Sequence, residues 1–171
     1  KLLYGNSGGG ASGIGTIVID THKIDLDDSD DAEFGSFLGM YRTVDFAKRS
    51  DGSCWFNFPF PDNWSTSSDI TFDLFYNLSG SEATNTVNLT MKMWSVVEGD
   101  TPNLSTPDQT SSNTITSSTT NTGKLTVDSL TNLSNSNITS DTKSIVIKLT
   151  RGVSEDTYGG TLQLVKMNFA Q

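Results

Sequence analysis

Apolar residues at every second position, recurring along the chain, limit this sequence more than any other feature. Thr16-Ile17-Val18-Ile19-Asp20, Ile70-Thr71-Phe72-Asp73-Leu74-Phe75-Tyr76, Val87-Asn88-Leu89-Thr90-Met91-Lys92-Met93 and Ile145-Val146-Ile147-Lys148-Leu149 each carry one apolar and one mostly polar parity. Successive strand side chains point to opposite faces, so this pattern sets one face of a sheet on a core and the other in water. Cys54, Phe56 and Phe58 make a further face of this kind, and Leu125 with Val127 a short one. No window carries the i, i+3, i+4, i+7 stripe of an amphipathic helix. Residues 33–49 are ambiguous between helix and strand, but Gly35 and Gly39 oppose a long helix.

Roughly eight or nine such runs, separated by Gly, Pro, Asn, Asp and Ser, predict an all-β sandwich or barrel. At 171 residues, one domain's worth of chain, the expectation is a jelly-roll-like antiparallel β-sandwich over residues 16–171. Residues 1–15, KLLYGNSGGGASGIG, are too rich in glycine for a regular element and read as a flexible Gly/Ser-rich arm. Leu2, Leu3 and Tyr4 at its start are candidates for docking on a neighbouring subunit. The last strand changes phase, from Leu162 and Leu164 to Val165, Met167 and Phe169. Either a bulge near Leu164 or Val165 or a strand buried on both faces accounts for that. Residues 99–122 are nearly all polar and rich in Ser and Thr, and read as a long strand-loop excursion at the surface.

Eleven basic residues stand against 20 acidic ones, for a net charge of −9, although only 18% of residues are charged. Such a surface repels phosphate backbones and anionic lipid, and Lys and Arg are scattered singly, so neither a nucleic acid nor a membrane is expected as partner. No run of about 20 apolar residues spans a bilayer. The chain starts at Lys1 without a charged-then-apolar leader, which suggests a processed product, as secretion or virion maturation would yield.

Cys54 is the sole cysteine and His22 the sole histidine. A disulfide framework and a cysteine-built zinc site are thereby excluded; Cys54 reads as a small buried hydrophobe and His22 as a surface or strand-edge residue. No G-x-S-x-G, H-E-x-x-H or P-loop pattern occurs, and no carboxylate pair stands out for glycoside hydrolysis. The chain is therefore read as a non-enzyme with no cofactor and no catalytic residue. The acidic run IDLDDSDDAE opens like an EF-hand, which makes Asp25, Asp27, Asp28 and Asp30 calcium candidates. The likeness then breaks, with Asp30 at the sixth position where glycine is needed and Ser36 at the twelfth where a bidentate Glu is needed. A solvated acidic loop is the simpler reading.

Trp55, Trp64 and Trp94 are the aromatic candidates for a sugar platform or a subunit contact. Trp55 and Trp94 fall on the parity opposite to the apolar face of their strands. Six N-x-S/T sequons, at Asn63, Asn77, Asn88, Asn103, Asn132 and Asn137, leave glycosylation to the host.

Two stretches, WFNFPFPDNW (55–64) with MKMWSVVEGD (91–100), and SIVIKLTRGVSEDTYGGTLQLVKMNF (144–169), resemble a β-sandwich domain of bacteriophage and archaeal-virus virion proteins. An aromatic-proline strand end, a tryptophan on a central strand and a terminal R-(polar)-D-T-Y-G-(polar) hairpin carry the resemblance, which spans about residues 50–169. It departs at Gly160-Thr161, where an acidic residue is expected after the glycine. The resemblance implies a virion structural role as capsid, decoration or tail component, with copies of the chain (such as a trimer) and other virion proteins as partners. Two alternatives stand beside it: a carbohydrate-binding or host-attachment module with glycans as partners, and a secreted filament or surface-layer subunit, both extracellular. The Glu155-Asp156-Thr157-Tyr158 insert then reads as a hairpin device and not a reaction centre, with Arg151 ending one strand and Gly159-Gly160 permitting the turn.

Overall fold

Each period-two run forms a strand in the computed structural model, which describes residues 15–26, 32–47, 52–80, 83–101, 103–118, 122–152 and 156–171. Eleven strands lie within them: β1 (Ile17–Asp20), β2 (Asp25–Leu26), β3 (Ala32–Phe37), β4 (Tyr41–Phe46), β5 (Ser53–Pro59), β6 (Ile70–Leu78), β7 (Thr86–Val97), β8 (Gln109–Thr116), β9 (Thr126–Leu133), β10 (Thr142–Arg151) and β11 (Leu162–Ala170). Two single-turn 3₁₀ helices, Thr21–Lys23 and Asn135–Asn137, complete the set. A six-stranded sheet runs β3-β4-β11-β6-β9 with β1 also on β11, and a five-stranded sheet runs β2-β5-β10-β7-β8. Every strand pair is antiparallel. The fold is thus an all-β sandwich of two antiparallel sheets, as the alternation predicts.

The apolar parities meet between the sheets. Phe72, Leu74, Met167 and Phe169 from one sheet face Phe56, Phe58, Met91, Met93, Ile145 and Ile147 from the other, all fully or almost fully buried. Phe169 is the centre of this layer. Its ring stacks on Phe72 at 4.7 Å and touches Phe58 at 4.9 Å and Phe56 at 5.7 Å. Burial of one such ring stabilises the fold by about 1.5–3 kcal/mol, and each aromatic pair adds about 0.5–1.5 kcal/mol.

The phase change in β11 is a bulge. Leu164 pairs with Tyr76 and Lys166 with Phe75, so Val165 is the extra residue, and Met167 and Phe169 turn inward after it. On its other edge β11 changes partner at the same place. It pairs with β4 up to Leu164–Val44 and with β1 from Lys166–Asp20 onward.

Three expectations change. The described part of the ambiguous 33–49 stretch, up to residue 47, carries the β3–β4 hairpin, turned at Leu38 (φ 55°) and Gly39 (φ 65°); paired left-handed residues match the twist of a hairpin and exclude a helix there. The Leu125 and Val127 face points to solvent, at 43% and 47% exposure. The opposite parity of β9 is needed inside, because the fully buried Tyr76 hydroxyl donates to Asp128 Oδ2 at 2.6 Å.

The third change concerns the terminal segment, which is not a hairpin. β10 belongs to the five-stranded sheet and β11 to the six-stranded one, so the connection is an arch between layers. Arg151 lies wholly buried at its base. It donates to Asp156 through Nε (2.6 Å) and Nη2 (3.1 Å), and to the carbonyls of Phe46, Tyr158 and Gly160 at 2.8–2.9 Å. Tyr158, also buried, donates its hydroxyl to Ser79 O at 2.6 Å. A Cβ on Gly160 would fall 1.9 Å from the same carbonyl, so only glycine fits there. Glu155 lies outside the described residues. The polar insert is a structural clasp in which a paired charge and a tyrosine tie three elements together.

Candidate functional site

The polar parities of the five-stranded sheet form its outer face, and Trp55 lies in it. The cross-strand row there reads Asp25, Trp55, Lys148, Lys92 and Thr110 across β2, β5, β10, β7 and β8. The adjoining row places Asn57, Val146 and Trp94 side by side. Trp55 and Trp94 meet diagonally, with ring centroids 5.4 Å apart and planes 28° from parallel. Lys148 Nζ lies 5.0 Å from the Trp55 ring. Trp94 is only 3% exposed despite its outward parity, because the loop after β7 folds over it and Asn103 O accepts its indole N–H at 3.0 Å. Trp55 stays partly exposed. The result is a flat ring, backed by a second tryptophan and bordered by amide, hydroxyl and ammonium groups. Such a surface stacks on an apolar ring face and donates hydrogen bonds around its rim.

Trp64 is placed differently from the other two. It is 6% exposed, its ring packs edge-on against Phe58 and Phe60, and its indole N–H donates to Gly15 O at 2.8 Å. Pro61 and the short turn after it fold the ring back onto the core, which strand parity does not foretell. It forms one wall of a cleft of about 470 Å³ with Phe60, Asp62, Thr139 and Lys143 at the end of the sandwich.

A second cleft, of about 360 Å³, opens where β11 exchanges β4 for β1. Phe75, Tyr41, Leu125 and Val165 supply its apolar walls, and Arg42, Lys166, His22 and Asp20 its polar ones. His22 sits in the 3₁₀ turn after β1; its backbone N–H donates to Asp20 Oδ1 at 3.0 Å, and its Nδ1 lies 3.1 Å from Arg42 Nη1. An arginine only donates, so Nδ1 is the acceptor and the ring proton sits on Nε2. Thr21 Oγ1 donates to Arg42 O at 2.8 Å and ties this turn to β4. The phase change at Val165 was a sequence signal for this place; the convergence of four elements on it was not.

Of the calcium candidates, Asp25 is an exposed residue of β2 paired with Trp55, while Asp27, Asp28 and Asp30 lie outside the described residues, as do Leu2, Leu3 and Tyr4. Among the described residues no three His, Cys, Asp or Glu side chains gather as a metal site. Cys54 is buried and free, and burial drives its thiol pKa far above the ordinary value, with Lys148 only partly opposing. Asn77 is 3% exposed and donates to Gln163 Oε1 at 2.8 Å, so its sequon is closed to a glycan in the folded chain.

No protein-family model matches the chain. No curated protein matches it in sequence. Solved structures do resemble it in shape. The CBM36-1 domain of a multidomain xylanase from the hindgut metagenome of Trinervitermes trinervoides superposes with a TM-score of 0.56 and 10% identity, over 92% of this chain and 98% of that one. The C-terminal CBM6 of a marine laminarinase from Zobellia galactanivorans gives 0.52 and 10%, over 92% and 100%. An exo-β-1,3-galactanase from Phanerochaete chrysosporium, with galactose, gives 0.54 and 11%, over 91% of this chain but 29% of the enzyme. At such identities the likeness is one of fold, a jelly-roll-like β-sandwich.

Proposed function

We propose that this chain is a non-catalytic carbohydrate-binding module that works outside the cell, either in attachment to a host glycan or in retention on a polysaccharide. The observation that carries the reading is Trp55, a partly exposed ring backed by Trp94 in a face otherwise built of polar side chains. A pyranose face stacks on that ring while Lys92, Lys148 and Asn57 donate to its hydroxyls. The sandwich type, held in common with structures named as carbohydrate-binding modules, supports the same reading. A glycan array followed by calorimetry on the best binder tests it. Trp55→Ala is expected to lower affinity at least tenfold at unchanged melting temperature; a wild-type chain that retains no glycan refutes it.

A second reading has an observation of its own. Val18 on β1 and Val127 on β9 each expose 47% of their surface on the outer face of the six-stranded sheet, and apolar side chains there suit contact between copies, as in a virion shell, decoration or tail component. In that reading residues 1–15 are an arm laid on a neighbour. Sedimentation across a hundredfold concentration range tests it, and a monomer throughout refutes it.

A further inference from the structure

We propose that the cleft beside the Val165 bulge is a second ligand site, separate from Trp55, that takes a carboxylate carried on a ring with one apolar face, namely a uronic-acid sugar. Its size, about 360 Å³, is at the lower end of small-molecule sites and suits a ligand of one or two rings. The walls divide the ligand into two parts. Tyr41 and Phe75 offer aromatic surface and Val165 of the bulge an aliphatic one, while Arg42 and Lys166 supply the cations.

Charge decides the sign of the ligand. The chain as a whole carries −9, yet this cleft sets Arg42 and Lys166 against the carboxylate of Asp20. That carboxylate is already engaged by the His22 backbone N–H. A locally positive recess on an acidic surface draws a small anion and holds off an acidic macromolecule.

Arg42 is also prepared for a carboxylate. Its guanidinium lies 3.8 Å above the Phe34 ring, which fixes its plane, and Nη1 is directed to His22 Nδ1. The Nε–Nη2 edge remains, the pair of parallel donors that matches the two oxygens of a carboxylate. Lys166 Nζ rests over the Phe75 ring at 4.1 Å. A cation–π contact at a partly exposed site is weak, so an arriving carboxylate draws the ammonium aside and uncovers the ring. His22 Nε2–H is left to donate to a ring hydroxyl.

The ligand class comes from the cleft's own residues, so its test separates from that of the Trp55 face. Calorimetry on the full chain is run with galacturonic acid, its dimer, galactose and benzoate. Saturable 1:1 binding of the uronate is expected, at least tenfold tighter than galactose. Arg42→Ala and Tyr41→Ala should each weaken it fivefold or more, in the wild-type chain and on a Trp55→Ala background alike, and Arg42→Lys should recover part. Melting curves confirm that each variant is folded. The proposal is overturned by equal binding of galactose, by uronate binding that survives Arg42→Ala, or by no uptake in the wild type. Benzoate binding more tightly than the uronate overturns the sugar assignment.

Discussion

Replacing Asp156 by alanine removes one partner of a wholly buried ion pair and leaves the other in place. Arg151 makes five hydrogen bonds, two to Asp156 and three to the carbonyls of Phe46, Tyr158 and Gly160. In Asp156→Ala the guanidinium keeps its charge, at 0% exposure, without the carboxylate that neutralises it. The Tyr158 N–H also loses its acceptor, Asp156 Oδ1 at 3.0 Å. Breaking a buried pair from one side costs about 3–5 kcal/mol. For a chain of this length each kcal/mol lowers the melting temperature by roughly 2–4 °C, so a drop of roughly 6–20 °C is expected by circular dichroism. The double variant Arg151→Met, Asp156→Ala distinguishes a charge effect from a clasp effect. Where a buried pair only balances its own desolvation, its apolar replacement is close to neutral. Here three carbonyls lose a donor as well, at about 1–3 kcal/mol for each left unpaired, so the double variant should stay well below wild type. A single variant that melts within 2 °C of wild type, or a double variant fully restored, would refute this account.

Two further outcomes follow from residues inside the sandwich. The Cys54 pKa is raised in the folded state above the ordinary thiol value of 9.0, so its contribution to stability is intact below about pH 9 and is lost as pH rises beyond it, because the unfolded thiol ionises first. Urea denaturation should show stability falling by up to about 1.4 kcal/mol per pH unit there, and Cys54→Ala should remove that part of the slope; an identical slope in both would disprove it. Deleting Val165 removes the bulge yet keeps Leu162, Leu164, Met167 and Phe169 on one parity, because Leu164–Tyr76 and Lys166–Phe75 then pair as consecutive rungs. A dispersed, native-like amide spectrum is expected from that variant, and its loss would show that β11 depends on the bulge itself.

The alternating runs announced β6, β7, β10 and β11 because burial on one face of a strand leaves a period of two in the residues themselves. Even the bulge at Val165 was written there, as a change of phase. β3 and β8 were harder to see. The first contains Gly35 and lies at a sheet edge; the second, QTSSNTIT, is polar on most positions and shows only Ile115 as a strongly buried apolar residue. Leu125 and Val127 misled for a related reason. On an edge strand the inward parity needs to fill little volume, and Asp128 holds it through the Tyr76 hydroxyl.

The candidate sites divide in the same way. That Trp55 faces outward is a matter of parity, a local property of its strand. That Trp94, of the same outward type, is covered by the loop after its own strand, and that Trp64 turns inward, depends on where chain segments return in space. Arg151 and Asp156 were visible as polar residues of a presumed hairpin, but only the assignment of β10 and β11 to different sheets makes them a buried clasp. The cleft at Val165 needs β1, β4, β6 and β11 at once. Local periodicity therefore determined the layers and their inner faces, because burial acts residue by residue along a strand. Which strands became neighbours, and so which side chains share a site, was decided by the packed whole, since pairing and loop return join residues far apart in the chain.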